Sequence, residues 1–387
     1  MRSFRISVLV AISSICSPAA LIAQTEQPVK DNLQYTLQVP YPVQQITGVT
    51  RSSVKKKRVK NVILMIGDGM GLSQVSAAWI ANRGQLYLEQ FTHTGLSKTT
   101  AANKLITDSG AGATAMASGQ KTIYHAVGVD TAGRDLATLT DIARQKGLAT
   151  GIVVACSLTD ATPASFAANN IDREEEEEIA TDFLESQVDI LFGGGRRYFN
   201  RRKDQRNLLQ ELTDKGYEVL SSTADFLNSR QSKIFAVVEN GQLETAPKRG
   251  PVFQEASIHT LNLLKAQQKG FFALLEGSRI DDMGHMNNLP GVVEEVLDFD
   301  QTIGRVLKWA AADGETLVIV TADHETGGLT LLDGELTTGR VSGKFSTGGH
   351  SGVMVPVYAW GPGAENFTGI YENTALFNKI SALLKLK

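Results

Sequence analysis

The chain has 387 residues, 42% of them hydrophobic and 20% charged, so it is long enough to bury a large core. Its formal net charge is −3, with acids and bases interspersed, which excludes the basic footprint of a dedicated nucleic-acid binder. With only two cysteines, Cys16 and Cys156, it is not a disulfide-built scaffold.

Residues 1–23 read as an export signal. Arg2 and Arg5 precede the apolar run ISVLVAISSIC, Ser17 and Pro18 break it, and a small-residue stop follows near Ala23. The serines and the proline interrupt the run before it reaches a membrane-spanning length, which argues against an anchor. Ile15 ahead of Cys16 argues against lipoprotein processing. The expected location is therefore periplasmic or extracellular, with no stable membrane association once the signal is cleaved. Cys16 would leave with the signal, and Cys156, within GIVVACSL, reads as a small core residue. Residues 24–58 are polar, run into the basic RSSVKKKRVK, and read as a solvated leader to a single domain over 59–387.

From Asn61 onward, strand and helix patterns alternate. NVILMI reads as a buried strand and LSQVSAAWIANR as a helix; LATLTDIARQKG as a helix, GIVVACSL as a strand, IATDFLES as a helix, and VDILFGGG as a strand. FQEASIHTLNLLKAQQKG then reads as a helix, FFALL as a strand, VVEEVLDFDQTIGRVLKWAAADG as a helix, and TLVIVTA and VPVYAW as strands. Short apolar runs bounded by glycine and separated by helices predict a mainly parallel sheet covered on both faces. The acidic run from Glu174 to Glu178 fits the start of a helix, where carboxylates complement its dipole. The GGG at 193–195 reads as a turn.

The polar residues fall at strand ends. Asp68 follows NVILMI, Asp160 and Thr162 follow GIVVACSL, Glu276, Asp281 and His285 follow FFALL, and Asp323 and His324 follow TLVIVTA. In an open α/β sheet the crevice beyond the carboxyl ends of the strands is where ligands bind, so four strands would deliver acids and imidazoles to one edge. Buried without partners, such groups cost on the order of several kcal/mol each, and a metal cation is the natural partner for this set. Histidine with carboxylate suits zinc, while an oxygen set with a threonine hydroxyl suits magnesium. His350 lies in the glycine-rich STGGHSG, where an imidazole has no core to fill; His93, His125 and His259 read as structural or surface residues. Ser109, in ITDSGAGATAMASG, stands where a tightly packed helix begins. Such a serine serves either as an N-cap or as a nucleophile facing free backbone N–H groups, and nearby metal would favour the second role.

In this order, IGDGMG, TDSGAGATA, TDATPA, EGSRIDDMGH, TADHETGG and GGHSG resemble the motif series of the alkaline phosphatases, from about Lys60 to the C-terminus. The resemblance implies a three-layer α/β/α fold and hydrolysis of small-molecule phosphate monoesters through a phosphoserine, by an enzyme that is commonly a homodimer. It implies Ser109 as the phosphorylated serine, Asp281, His285 and His350 as ligands of one zinc, and Asp68, Asp323 and His324 as ligands of a second. Asp68 would also bridge to a magnesium held by Thr162 and Glu276, with Asp160 holding that ion's waters. Arg173 would clamp the phosphate and Asp108 would orient it. Asp282 departs from the pattern, since relatives carry lysine, histidine or tryptophan there; the position is expected near the phosphate or the magnesium. A cysteine pair is also lacking. A diesterase, phosphonate hydrolase or sulfatase of the same superfamily is the rival enzyme, but TDSGAGA lacks the C/S-x-P-x-R setting of a sulfatase. A non-catalytic metal- or phosphate-binding protein would be expected to have lost Ser109, Arg173 or a ligand, and none is missing.

Overall fold

The structure, a computed structural model, describes residues 33–46 and 58–386. The expected export signal and the basic residues 51–57 lie outside that range. In chain order the strands are β1 (Leu33–Thr36), β2 (Asn61–Gly67), β3 (His93–Lys98), β4 (Ala149–Ser157), β5 (Ile190–Gly194), β6 (Glu218–Leu220), β7 (Ile234–Val237) and β8 (Phe271–Gly277). β9 (Thr316–Thr321), β10 (Glu325–Thr326), β11 (Leu329–Glu335), β12 (Arg340–Phe345), β13 (His350–Ser351), β14 (Val355–Trp360) and β15 (Gly369–Glu372) follow.

Ten of these form one sheet in the order β15-β3-β14-β9-β2-β8-β4-β5-β7-β6. Its pairings are parallel except where β14 runs antiparallel between β9 and β3. Continuous apolar runs explain the centre: every residue of β2 and β8 is buried. Side chains alternate across the sheet, so Ile63 and Met65 enter one core while Val62, Leu64 and Ile66 enter the other. The first core lies under the helices Leu72–Ala81, Val252–Ala266 and Leu289–Asp313. The second lies under Ser109–Ser118, Leu139–Gln145, Ala161–Ala167, Glu176–Ser186 and Thr374–Leu384. The fold is thus three-layered α/β/α. Cys156 is a free, buried member of the second core. Among the described residues, no helix is long and apolar enough to cross a membrane.

Residues 33–46 fall in the stretch read as a leader, and they are part of the fold. β1 pairs antiparallel with β12, which pairs in turn with β11. Tyr41 stacks on Tyr87 at 6.2 Å, and its hydroxyl donates to Asp300 at 2.5 Å. Asp300 is buried in the helix Leu289–Asp313 and also accepts the N–H groups of Tyr87 and Leu88 at 2.8 and 2.9 Å. A buried carboxylate needs such donors, and the leader supplies one of them.

Candidate active site

β9, β2, β8 and β4 are neighbours, and all run parallel. Their carboxyl ends carry Asp323, Asp68, Glu276 and Asp160 to one edge of the sheet. The helix Arg279–His285 follows β8 directly and places Asp281 and His285 four residues apart on one face, with Oδ2 and Nε2 separated by 3.2 Å. β13 pairs with β10, which sets His350 opposite Thr326 and over the ring of His324, with centroids 3.6 Å apart.

Two groups of ligand atoms result. Nε2 of His324 lies 3.1 Å from Asp323 Oδ2 and 3.5 Å from Asp68 Oδ1. A second group joins Asp281, His324 and His350, and Nε2 of His285 reaches it at 3.1 Å from Nε2 of His350. Each imidazole is oriented from behind. Nδ1 of His285 meets the Gly348 carbonyl at 2.7 Å, Nδ1 of His350 the Thr107 carbonyl at 2.8 Å, and Nδ1 of His324 the Thr326 hydroxyl at 3.1 Å. Nε2 of all three is left facing the carboxylates, the usual arrangement for metal-ligating histidines.

The electrostatics call for a cation. Burial, and then the neighbouring acids, push the Asp68 and Glu276 carboxyls well above their usual range, and Asp323 is pushed up to about 6. Asp281 is partly buried, and desolvation works to raise it, but His285, His324 and His350 hold it below the usual range. Its hydrogen bond to Asp281 raises His285 to about 9, whereas burial lowers His324 and His350 to about 4. Asp68 Oδ1, Asp323 Oδ2 and the Thr162 hydroxyl are buried without a hydrogen-bond partner. Orphaned oxygens among crowded carboxylates and inward-facing imidazoles fit divalent metal ions.

Ser109 opens the helix Ser109–Ser118, and Asp108, not Ser109, is its N-cap, accepting from the Ala111 N–H at 3.2 Å. The serine is therefore free of capping duty, and its Oγ lies 3.2 Å from Nε2 of His324. A Cβ at Gly112 would stand 3.0 Å from the Asp323 carbonyl, so glycine there lets the helix press against the end of β9. Arg173 reaches in from the connection 168–175, with Nη1 3.3 Å from Asp108 and Nη2 3.0 Å from Asp160. Burial works against its charge, but Asp160 and Asp108 outweigh that effect and keep it protonated. Asp160 itself N-caps the helix Ala161–Ala167, in which Thr162 sits.

Asp282 is neither free in solvent nor an uncompensated charge beside the site. It is paired with Nε of Arg279 at 2.5 Å. Burial pushes its carboxyl up to about 6, Arg279 opposes the shift, and Asp281 and Asp160 add to it. Several contributors are absent from the expected set. Arg279 is one, and Thr326, which donates to Asp281 as well as bonding His324, is another. His125, read above as structural or surface, donates its N–H to Asp108 at 3.2 Å and accepts the Arg173 N–H at 2.8 Å through its carbonyl. Arg279 and Thr326 stand inside the motifs EGSRIDDMGH and TADHETGG, whereas nothing in the sequence around His125 marks a backbone role.

The family model for alkaline phosphatase matches residues 59–344 and 334–386. The chain is similar to alkaline phosphatase 4 of Bacillus subtilis, at 30% identity over 89% of this chain and 92% of that protein. It is similar also to the alkaline phosphatase of Escherichia coli, at 28% identity over 98% of each. Among solved structures, the alkaline phosphatase of the Antarctic bacterium TAB5 matches with a TM-score of 0.82 and 40% identity, over 86% of this chain and 100% of that one. A variant of the TAB5 protein, in which a histidine is replaced by aspartate, has magnesium bound in its M3 site.

Proposed function

The chain belongs to the alkaline phosphatase family and hydrolyses phosphate monoesters; we propose that it does so through a phosphoserine on Ser109, at a site that holds two zinc ions and one magnesium ion. The observation that carries this reading is the Ser109 hydroxyl 3.2 Å from Nε2 of His324, beside the Asp68 and Asp323 carboxylates. Asp281, His285 and His350 would hold one zinc, and Asp68, Asp323 and His324 the other. Asp68, Thr162 and Glu276 would hold magnesium, for which an oxygen set is suited, with Asp160 facing its waters. When bound, these ions supply Lewis-acid stabilisation of the negative charge that develops on the attacking and departing oxygens.

The chain's own residues do the rest. The N-terminus of the helix Ser109–Ser118 presents backbone N–H groups to an anion. Arg173, held by Asp108 and Asp160, offers a planar pair of donors that suits the two non-bridging oxygens of a dianionic monoester better than a diester. Ser109 Oγ attacks phosphorus, a new O–P bond forms, the ester O–P bond breaks and the alcohol leaves. Water then cleaves the phosphoserine, releasing inorganic phosphate and restoring the hydroxyl. Export, with residues 1–23 removed, and assembly as a homodimer complete the proposal.

The test is to mix the metal-loaded enzyme with a phosphate monoester, quench in acid and map phosphorylation by mass spectrometry. Label on Ser109, lost in Ser109→Ala with bound metal retained, is the expected result. Label on another residue, or turnover surviving in Ser109→Ala, would overturn it. Metal analysis of the same samples, before and after chelation and zinc add-back, checks the ion assignment.

A further inference from the structure

Arg173 does not sit on a rigid element. The helix before it ends at Ala167 and the next begins at Glu176, so its guanidinium is carried by an irregular connection. It also borders a cavity of about 130 Å³ lined by Asp160, Glu176, Arg197, Tyr198 and Gln242, space into which the side chain could withdraw. Something must hold the connection against the sheet.

The upstream half is pinned by backbone bonds. Val127 and Asn170 exchange two hydrogen bonds at 2.8 and 2.9 Å, and the Arg173 N–H donates to the His125 carbonyl at 2.8 Å. Downstream, Arg202 donates to the Glu177 carbonyl, and the tie to the end of β4 is made by Glu176. Within the acidic run, Glu174, Glu175 and Glu178 are exposed, and Glu177 faces the Lys203 N–H at 3.0 Å. Glu176 turns back toward the sheet. Its Oε2 accepts the Thr159 hydroxyl at 2.6 Å and its Oε1 accepts the Tyr198 hydroxyl at 2.6 Å. Thr159 also lies 2.6 Å from the Ser157 hydroxyl, at the end of β4, and Arg197 donates to the Tyr198 oxygen. Thr159 immediately precedes Asp160, the residue that Arg173 grips. Two links, Arg173 to Asp160 and Glu176 to Thr159, therefore join the same connection to the same strand end. A glutamate serving only the helix dipole would need neither of its hydroxyl partners.

We propose that Glu176 is a positioning residue for the phosphate clamp: by binding Thr159 and Tyr198 it fixes the connection 168–175 so that the Arg173 guanidinium stands over the phosphate pocket. The inference rests on the reading of Arg173 as the clamp. A displacement of about 1 Å in such a group can cost about a hundredfold in rate, so the anchor matters although it touches no substrate.

The experiment uses the full-length, metal-loaded enzyme with p-nitrophenyl phosphate as substrate and inorganic phosphate as inhibitor. Wild type, Glu176→Ala, Arg173→Ala and the double variant are compared, with thermal unfolding followed in parallel. Glu176→Ala should raise KM and the phosphate inhibition constant about tenfold. In the Arg173→Ala background the same change should move both by less than about twofold, because residues acting through one group are not additive. Glu176→Gln, which retains an acceptor, should recover part of the loss. Equal losses in the two backgrounds, or an unchanged phosphate inhibition constant in Glu176→Ala, would overturn the proposal. If Arg173→Ala itself leaves KM and phosphate inhibition unchanged, the clamp reading fails, and the anchor with it. Should Glu176→Ala not fold, Tyr198→Phe removes one of the two hydroxyl donors to Glu176 and should show the same non-additivity at smaller size; full additivity there would sink the idea equally.

Discussion

Arg173 and Asp282 show how much the partners of a charge decide its role. Arg173 is partly buried between two carboxylates and stays cationic, so its donors remain available to a dianion. Arg173→Ala should lower kcat/KM for a monoester by about a hundredfold, a typical loss for one preorganised donor, while diester hydrolysis changes far less. Parallel assays of the two ester classes check this, and an equal loss on both would remove the clamp. Asp282 is compensated by Arg279, so its field at the phosphate is weaker than that of a lone acid. Asp282→Asn would leave the Arg279 cation unpaired at the same place. Inhibition by inorganic phosphate should then tighten, by about three- to tenfold. Measured at several pH values, an inhibition constant unaltered by the substitution would mean that the pair does not reach the phosphate.

The elements differ in how plainly the sequence declares them. β2, β8 and β9 are legible because an uninterrupted apolar run bounded by turn residues fits a strand buried on both faces. β3 (HTGLSK) is not, since its polar residues match no period and its pairing with β14 and β15 is decided elsewhere in the chain. β1 hides for the same reason within a polar stretch. The acids and imidazoles of the candidate site are legible because they sit at fixed offsets from legible strands. The pairs Arg279–Asp282 and Glu176–Thr159 are not, because they depend on which way a side chain turns once the backbone is in place. The attachment of the N-terminal segment can be tested through Asp300. Asp300→Ala removes the acceptor for Tyr41 and orphans the Tyr87 and Leu88 N–H groups. It should destabilise the protein by about 2–4 kcal/mol in urea unfolding, with the active site unaffected in the folded fraction. A change below about 0.5 kcal/mol would show that water replaces the carboxylate there.

For the whole molecule, the crowded acids at the sheet edge tie stability to metal. Without ions, Asp68 and Glu276 hold their protons well above the usual carboxylate range, and Asp323 up to about 6. A folded-state pKa raised above its unfolded value gives stability that is full below the unfolded value and is lost as pH rises through the folded one. His324 and His350, lowered to about 4, oppose this trend until about pH 6.5, so the chelated protein should melt at lower temperature chiefly as pH rises from about 6 toward 8. The metal-loaded protein should not, because its ligands are ionised and neutralised. Calorimetry of both forms across that range checks the prediction, and parallel curves would refute it. The strand order has one more consequence. β2, at residues 61–67, lies between β8 and β9, at 271–277 and 316–321, so each pairing joins segments far apart in the chain. Contacts of such high sequence separation are slow to form, because loop-closure entropy opposes them first. The ligand cluster cannot exist until those late pairings close. During refolding, the complete site should therefore act more as a latch on an assembled sheet, slowing its reopening, than as a seed that hastens its formation.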